Sequence, residues 1–205
     1  TPFGTFFGPN ITPDEIYGIG KWSDEDFIRA LRKGAAPNGN HYFPVFPYTS
    51  FTKMTTQDMQ ALKDYIFSVP PIAKPNKPHE VRFPFNIRLS MVLWNKLFFD
   101  EEPFRKDTDQ SEEWNRGAYL AQALVHCGEC HTPRNFFGAV ENSTSMAGSR
   151  NGPEGKTAPN ITPDSETGIG KWSHKEIVEA LKLGILPNGD FLVGAGDGTI
   201  AKISI

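Results

Sequence analysis

Residues 9–39 read PNITPDEIYGIGKWSDEDFIRALRKGAAPNG, and residues 159–189 read PNITPDSETGIGKWSHKEIVEALKLGILPNG. The two segments match at 18 of 31 positions, with no gap and a constant offset of 150. A match this long and this strict means a duplicated structural unit. Each copy spells the same helix. In the first, Ser23 stands as the N-cap, Asp26 falls at the capping-box position, and Gly34 provides the stop. Phe27, Ala30 and Leu31 are spaced for one buried stripe. In the second, Ser173, Glu176 and Gly184 fill the same places, and Ile177, Ala180 and Leu181 are expected to face inward.

Outward from these copies the pattern stays helical. Thr55 with Asp58 opens a helix whose face is Met59, Leu62, Tyr65 and Ile66, and Pro70 and Pro71 end it. A further helix is predicted from 111 to about 126, with Trp114, Ala118, Ala121 and Val125 toward the core. No convincing alternating strand is present, so the fold class is mostly α. Residues 71–110 carry Pro71, Pro75, Pro78, Pro84 and Pro103 and read as an extended linker. Within it Ile87, Met91, Trp94 and Phe98 recur at helical spacing. Two readings of that segment stand: a helix packed across the junction, or a docking face for a partner subunit or membrane surface. The division expected is 1–70, a linker over 71–110, and 111–205.

The totals narrow the classes. In 205 residues there are 19 Gly and 17 Pro, with 38% hydrophobic residues, which suits a loop-rich fold wrapped around a large apolar group. A net charge of −3 offers no basic surface, so no nucleic-acid partner is expected. No apolar run reaches the roughly 18 residues that span a bilayer. The chain opens at Thr1. By the offset of 150, Ile205 answers to Thr55, and Cys127 answers to a position 23 residues or so upstream of Thr1. The expectation is a chain holding the back part of one unit and the front part of the next.

The two cysteines, Cys127 and Cys130, exclude a disulfide framework. With His131 they form Cys-Gly-Glu-Cys-His, the spacing of c-type haem attachment. Two thiols three residues apart can reach the two vinyl groups on one edge of the macrocycle. The histidine that follows is then held beneath the iron. A thioredoxin-like pair would want a βαβ context, and a structural zinc site would want four ligands at closed spacing, which His126 alone does not complete.

Residues 114–120 (WNRGAYL) before the motif and 131–135 (HTPRN) after it carry a resemblance, as do both PNITPD…GIGKWS segments and residues 83–86 (FPFN). Over essentially the whole chain to about Gly189 they are similar to the multi-haem cytochrome c subunits of bacterial membrane-bound dehydrogenases for alcohols, gluconate, sorbitol and fructose. The resemblance implies two class I cytochrome c-like lobes joined by the Pro-rich linker, both lobes truncated by the chain ends. It implies one haem c on Cys127 and Cys130 with His131 as axial ligand, and a second haem if the upstream motif is present. It places Pro133 on the proximal side, its carbonyl accepting from the other ring nitrogen of the histidine. Trp22 and Trp172 would stand near propionates, or else fill core. Arg134 would pair with a propionate, or else be solvated. Met54 is the candidate sixth ligand of the first haem, or else a packing residue, because Phe46 stands where many relatives place methionine. In the second lobe the matching position is Ser204, and Met146 lies at the wrong place in the repeat, so the second haem is expected to be five-coordinate.

The function implied is electron transfer from a flavin- or quinone-dependent dehydrogenase subunit toward quinone or the respiratory chain. The site implied is the periplasmic side of the bacterial inner membrane, with peripheral membrane association. Gly18-Ile19-Gly20 lacks the third glycine of a nucleotide fingerprint, so the chain is read as an electron-transfer subunit and not the catalytic one. A free-standing di-haem carrier and a thiol oxidoreductase are the rival readings.

Overall fold

The computed structural model describes residues 1–150 and 157–192. Within them the duplicated segment folds the same way twice. Asn10 and Asn160 each accept the amide of the threonine two residues on, at 3.0 and 2.8 Å. The Ile19 and Ile169 amides return to the Thr12 and Thr162 carbonyls, both at 2.9 Å, closing a loop in each copy. Glycine is required at its neck: a Cβ on Gly18 would stand 2.1 Å from the Thr12 carbonyl oxygen, and on Gly168 2.3 Å from that of Thr162.

Each loop delivers the chain into a capped helix, α1 (Asp24–Lys33) in the first copy. Its Ser23–Asp26 capping box is complete, and the Ser23 amide holds the Asp26 carboxyl below its usual range. Gly34 ends the helix in the left-handed conformation. The helix of the second copy, His174–Leu183, has the same box from Ser173 and Glu176 and the same stop at Gly184.

Burial then separates the copies. Phe27, Ala30 and Leu31 are buried where α1 packs on α2 (Tyr48–Phe51) and α3 (Thr56–Ser68). The helix of the second copy has no buried residue, and Leu181, expected inward, is 81% exposed. The offset of 150 puts the counterparts of α2 and α3 from 198 onward, outside the described residues, as is Ser204. Ala30 and Leu31 are buried in the first copy, whereas the matching Ala180 is half-buried and Leu181 exposed. In α3, Met59 is fully buried as expected, but Tyr65 is 70% exposed, turned off the face set by Met59, Leu62 and Ile66.

The segment over 71–110 is more than an extended connection. Its strand β2 (Glu80–Val81) pairs antiparallel with β1 (Gly4–Thr5), and the Asn10 side chain donates to the carbonyls of Ile72 and Lys74. Residues 86–99 hold α4 (Leu89–Phe98), whose Met91 and Trp94 pack with Phe43, Tyr48 and Ala139. The Trp94 indole donates to the Phe137 carbonyl at 2.9 Å. This helix therefore packs across the junction between first-copy residues and the residues that follow Cys130.

The next predicted helix is broken and rotated. It runs as α5 (Glu112–Tyr119) and continues as one π turn, Leu120–Leu124. Asn115, Tyr119 and Ala123 are buried, whereas Trp114 and Val125, expected inward, are 49% and 58% exposed. Polar anchors set this rotation. Asn115 binds both the amide and the carbonyl of Asp107, and the Tyr119 hydroxyl accepts from the Thr55 amide and donates to Asp58. Burial and the Asp58 carboxylate raise the Tyr119 hydroxyl above the ordinary tyrosine range.

Candidate haem-attachment site

The π turn shortens the approach to the cysteines. The Cys127 amide donates back to the Ala121 carbonyl at 2.9 Å, after His126 has turned the chain with φ 46°. The His126 ring lies edge-on to Phe51 at 5.4 Å, a structural contact. A single helical turn follows, α6 (Gly128–His131), closed by the His131 amide on the Cys127 carbonyl at 3.0 Å. Both thiols are unpaired and half-buried on this turn. Burial, then the neighbouring Glu129 carboxylate, pushes the Cys130 thiol up.

His131 is held from behind. Its Nδ1 lies 2.8 Å from the carbonyl oxygen of Pro159. A carbonyl only accepts, so Nδ1 carries the proton and Nε2 keeps its lone pair for a metal. The resemblance assigned this contact to Pro133, but the Pro133 carbonyl accepts from the Glu141 amide at 2.9 Å instead. Pro159 reaches the ring because the chain doubles back: the Gly148 amide donates to the His131 carbonyl and Ile161 to that of Met146. The signal for Pro159 was present, since it opens the second copy of the repeat as Pro9 opens the first. Met146 sits with φ 63°, its amide bound to the Thr132 hydroxyl and its side chain close to Gly128. It packs against the attachment turn itself.

Arg134 is half-buried beside the attachment turn. Its guanidinium donates to the Glu129 carboxylate, to the Glu129 carbonyl at 3.0 Å and to the Gly138 carbonyl at 2.7 Å. Glu129 itself, which sequence reasoning passed over as a spacer between the cysteines, is buried at 9% exposure. Its other oxygen accepts from Thr49 at 2.9 Å and Ser50 at 2.7 Å.

The remaining candidates lie apart from the attachment turn. Met54 is 3% exposed in a cluster with Ile19, Phe27, Leu31, Met59, Tyr119 and Ala123, and Trp22 packs half-buried against that cluster. Trp172 is half-buried at the entrance to the second-copy helix. Structure thus gathers Cys127, Cys130 and His131 into one turn and keeps Met54 and Trp22 in the first-copy core.

The donor set fits a thioether-bound haem: two free thiols and a backed imidazole on one turn. Among the described residues no group of three or more His, Cys, Asp or Glu is placed to hold a metal ion by itself. Helical fold and attachment turn are together compatible with a c-type cytochrome.

No family model matches the chain. It is 44% identical over 191 residues to the diheme cytochrome c-type protein of Cereibacter sphaeroides, covering 93% of this chain and 62% of that one. It is 39% identical to the fructose dehydrogenase cytochrome subunit of Gluconobacter japonicus, over 90% of this chain and 38% of that one. To the gluconate 2-dehydrogenase cytochrome c subunit of Pantoea cypripedii it is 36% identical, over 90% of this chain and 44% of that one. The chain is a homologue of diheme cytochromes c and of the cytochrome subunits of bacterial dehydrogenases, and it spans less than two thirds of the length of each of these relatives.

Proposed function

We propose that this chain carries electrons through a haem c bound at Cys127 and Cys130, with His131 as an axial ligand. Electrons would pass from a flavin- or quinone-dependent dehydrogenase subunit toward quinone or the respiratory chain, at the periplasmic side of a bacterial inner membrane. The observation that carries this reading is the His131 Nδ1–Pro159 contact at 2.8 Å beside two unpaired thiols. Bound there, haem c supplies one-electron iron chemistry. The chain's part is to fix the ligand. Nδ1–H···O=C sets the tautomer and ring plane and raises the basicity of the imidazole. Among the described residues no helix is long and apolar enough to cross a membrane.

In this proposal residues 1–70 and 111–205 are two class I-like lobes, and the Trp22 and Trp172 rings border haem edges. The names of the fructose and gluconate dehydrogenase relatives support a dehydrogenase partner; a free-standing di-haem carrier is the alternative. Affinity purification of the full-length protein from its native host distinguishes them. A stoichiometric dehydrogenase subunit that reduces the cytochrome on addition of substrate is expected. A cytochrome recovered alone would support the free carrier.

Met54 is proposed as the sixth ligand of the first-lobe haem, supported by its burial directly ahead of α3. Met54→Leu conserves volume and should cost less than about 1.5 kcal/mol of stability. In the full-length haem-loaded protein it should abolish one methionine-to-iron charge-transfer band and lower the potential of one haem, since His/Met ligation raises it. Unchanged spectra and potentials would make Met54 a packing residue.

A further inference from the structure

Glu129 occupies the second of the two positions between the cysteines, where attachment chemistry asks for no carboxylate. It is nonetheless buried, with 10% of its side chain exposed, and both of its oxygens are engaged. One accepts from the Thr49 and Ser50 hydroxyls of α2, which are 80 and 79 residues away in sequence. The other is paired with Arg134, which also donates to the Glu129 and Gly138 carbonyls. A carboxylate this enclosed is tolerable only when paired and hydrogen-bonded on every side. Its hydroxyl partners belong to the segment that leads without interruption to Met54: the Thr52, Lys53 and Met54 amides close successive turns on Tyr48, Ser50 and Phe51. Contacts on the same seam flank it, the Phe51–His126 edge and the Tyr119 hydroxyl at Thr55 and Asp58.

We propose that Glu129 is a positioning residue that docks the haem-attachment turn onto the Tyr48–Met54 segment and so fixes the separation of the two haem sites. Electron hopping falls steeply with distance, so a pinned seam keeps the rate constant against thermal motion of the two halves. Arg134 serves this pin by neutralising and orienting the carboxylate. The docking half of the proposal stands on the hydrogen bonds alone. Only the statement about haem separation rests on the reading of Met54 as a ligand.

The test uses the full-length haem-loaded protein and two variants. Glu129→Ala removes the pin, and the pair Thr49→Val with Ser50→Ala removes its partners while leaving the attachment motif untouched. Amide hydrogen exchange at Thr52, Lys53 and Met54 should accelerate about tenfold or more in both, as for loss of a buried charge-assisted hydrogen bond. The magnetic interaction between the oxidised haems should weaken in both, with haem content unchanged. If Glu129→Ala does not mature, the hydroxyl pair carries the test. Wild-type exchange and wild-type haem coupling in the hydroxyl variant would overturn the proposal, as would Glu129→Ala effects confined to the haem on its own motif. A failed Met54 assignment shows instead as an unchanged charge-transfer band in Met54→Leu, with the exchange response intact.

Discussion

Replacing Cys127 and Cys130 together by alanine is expected to abolish every covalent link between this chain and pigment. Expressed with cytochrome maturation machinery, the 205-residue wild-type chain should retain colour through acid–acetone extraction and show a c-type pyridine haemochrome. The double variant should lose all of it to the solvent. Each single variant should keep haem through one thioether, with the haemochrome band displaced by the unreacted vinyl group. Loss is complete in the double variant because nothing else in the chain can bond the porphyrin: the cysteines are the only two in the sequence. The thiols provide a second, independent reading. Thioether sulfur cannot be alkylated, so the denatured wild-type protein should titrate no free thiol. Two titratable thiols in the matured protein would return the chain to the thiol-oxidoreductase reading.

Tyr48→Ala is expected to cost about 3–5 kcal/mol, the range for removing a large buried aromatic side chain. Its ring is wholly buried, and three elements meet on it. Gly34 at the end of α1 approaches so closely that a Cβ there would lie 2.5 Å from the ring. Phe99, just past α4, stands edge-on at 5.1 Å, and the hydroxyl donates to Asn95, whose amide nitrogen reaches His41 at 2.9 Å. Tyr48→Phe keeps the ring and removes only the donor, so about 1 kcal/mol is expected. Urea titration followed by far-ultraviolet circular dichroism measures both. Equal losses for the two variants would mean that the hydroxyl, and not the packed ring, holds the junction.

Alkaline pH adds a signature. Burial pushes the Tyr48 hydroxyl well above its ordinary value. A folded-state pKa above the unfolded one means the contribution is fully present below the unfolded value near 10 and is lost as pH rises beyond it. Stability should therefore fall above about pH 10, and Tyr48→Phe should flatten that fall.

What the sequence by itself determined is local. Both capped helices, both glycine stops, the repeated Pro-Asn-Ile-Thr loop and the Cys-x-x-Cys-His turn are written in letters three to seven residues apart. Their hydrogen bonds close over the same short distances, so the letters and the bonds coincide. Helix α4 was also legible, because the spacing of Met91 and Trp94 is itself the face that packs.

Tertiary structure decided everything that depends on which distant segment arrives. The proline behind His131 is Pro159 and not Pro133, a contact made across 28 residues by a doubled-back chain. Arg134 turns to Glu129, and Glu129 to hydroxyls some 80 residues away. The rotation of α5 follows Asn115 and Tyr119, whose polar partners at Asp107, Thr55 and Asp58 outweigh the apolar letters of Trp114 and Val125. A side chain's burial and its hydrogen-bond partner are properties of the neighbour that covers it, and that neighbour is chosen by the path of the chain.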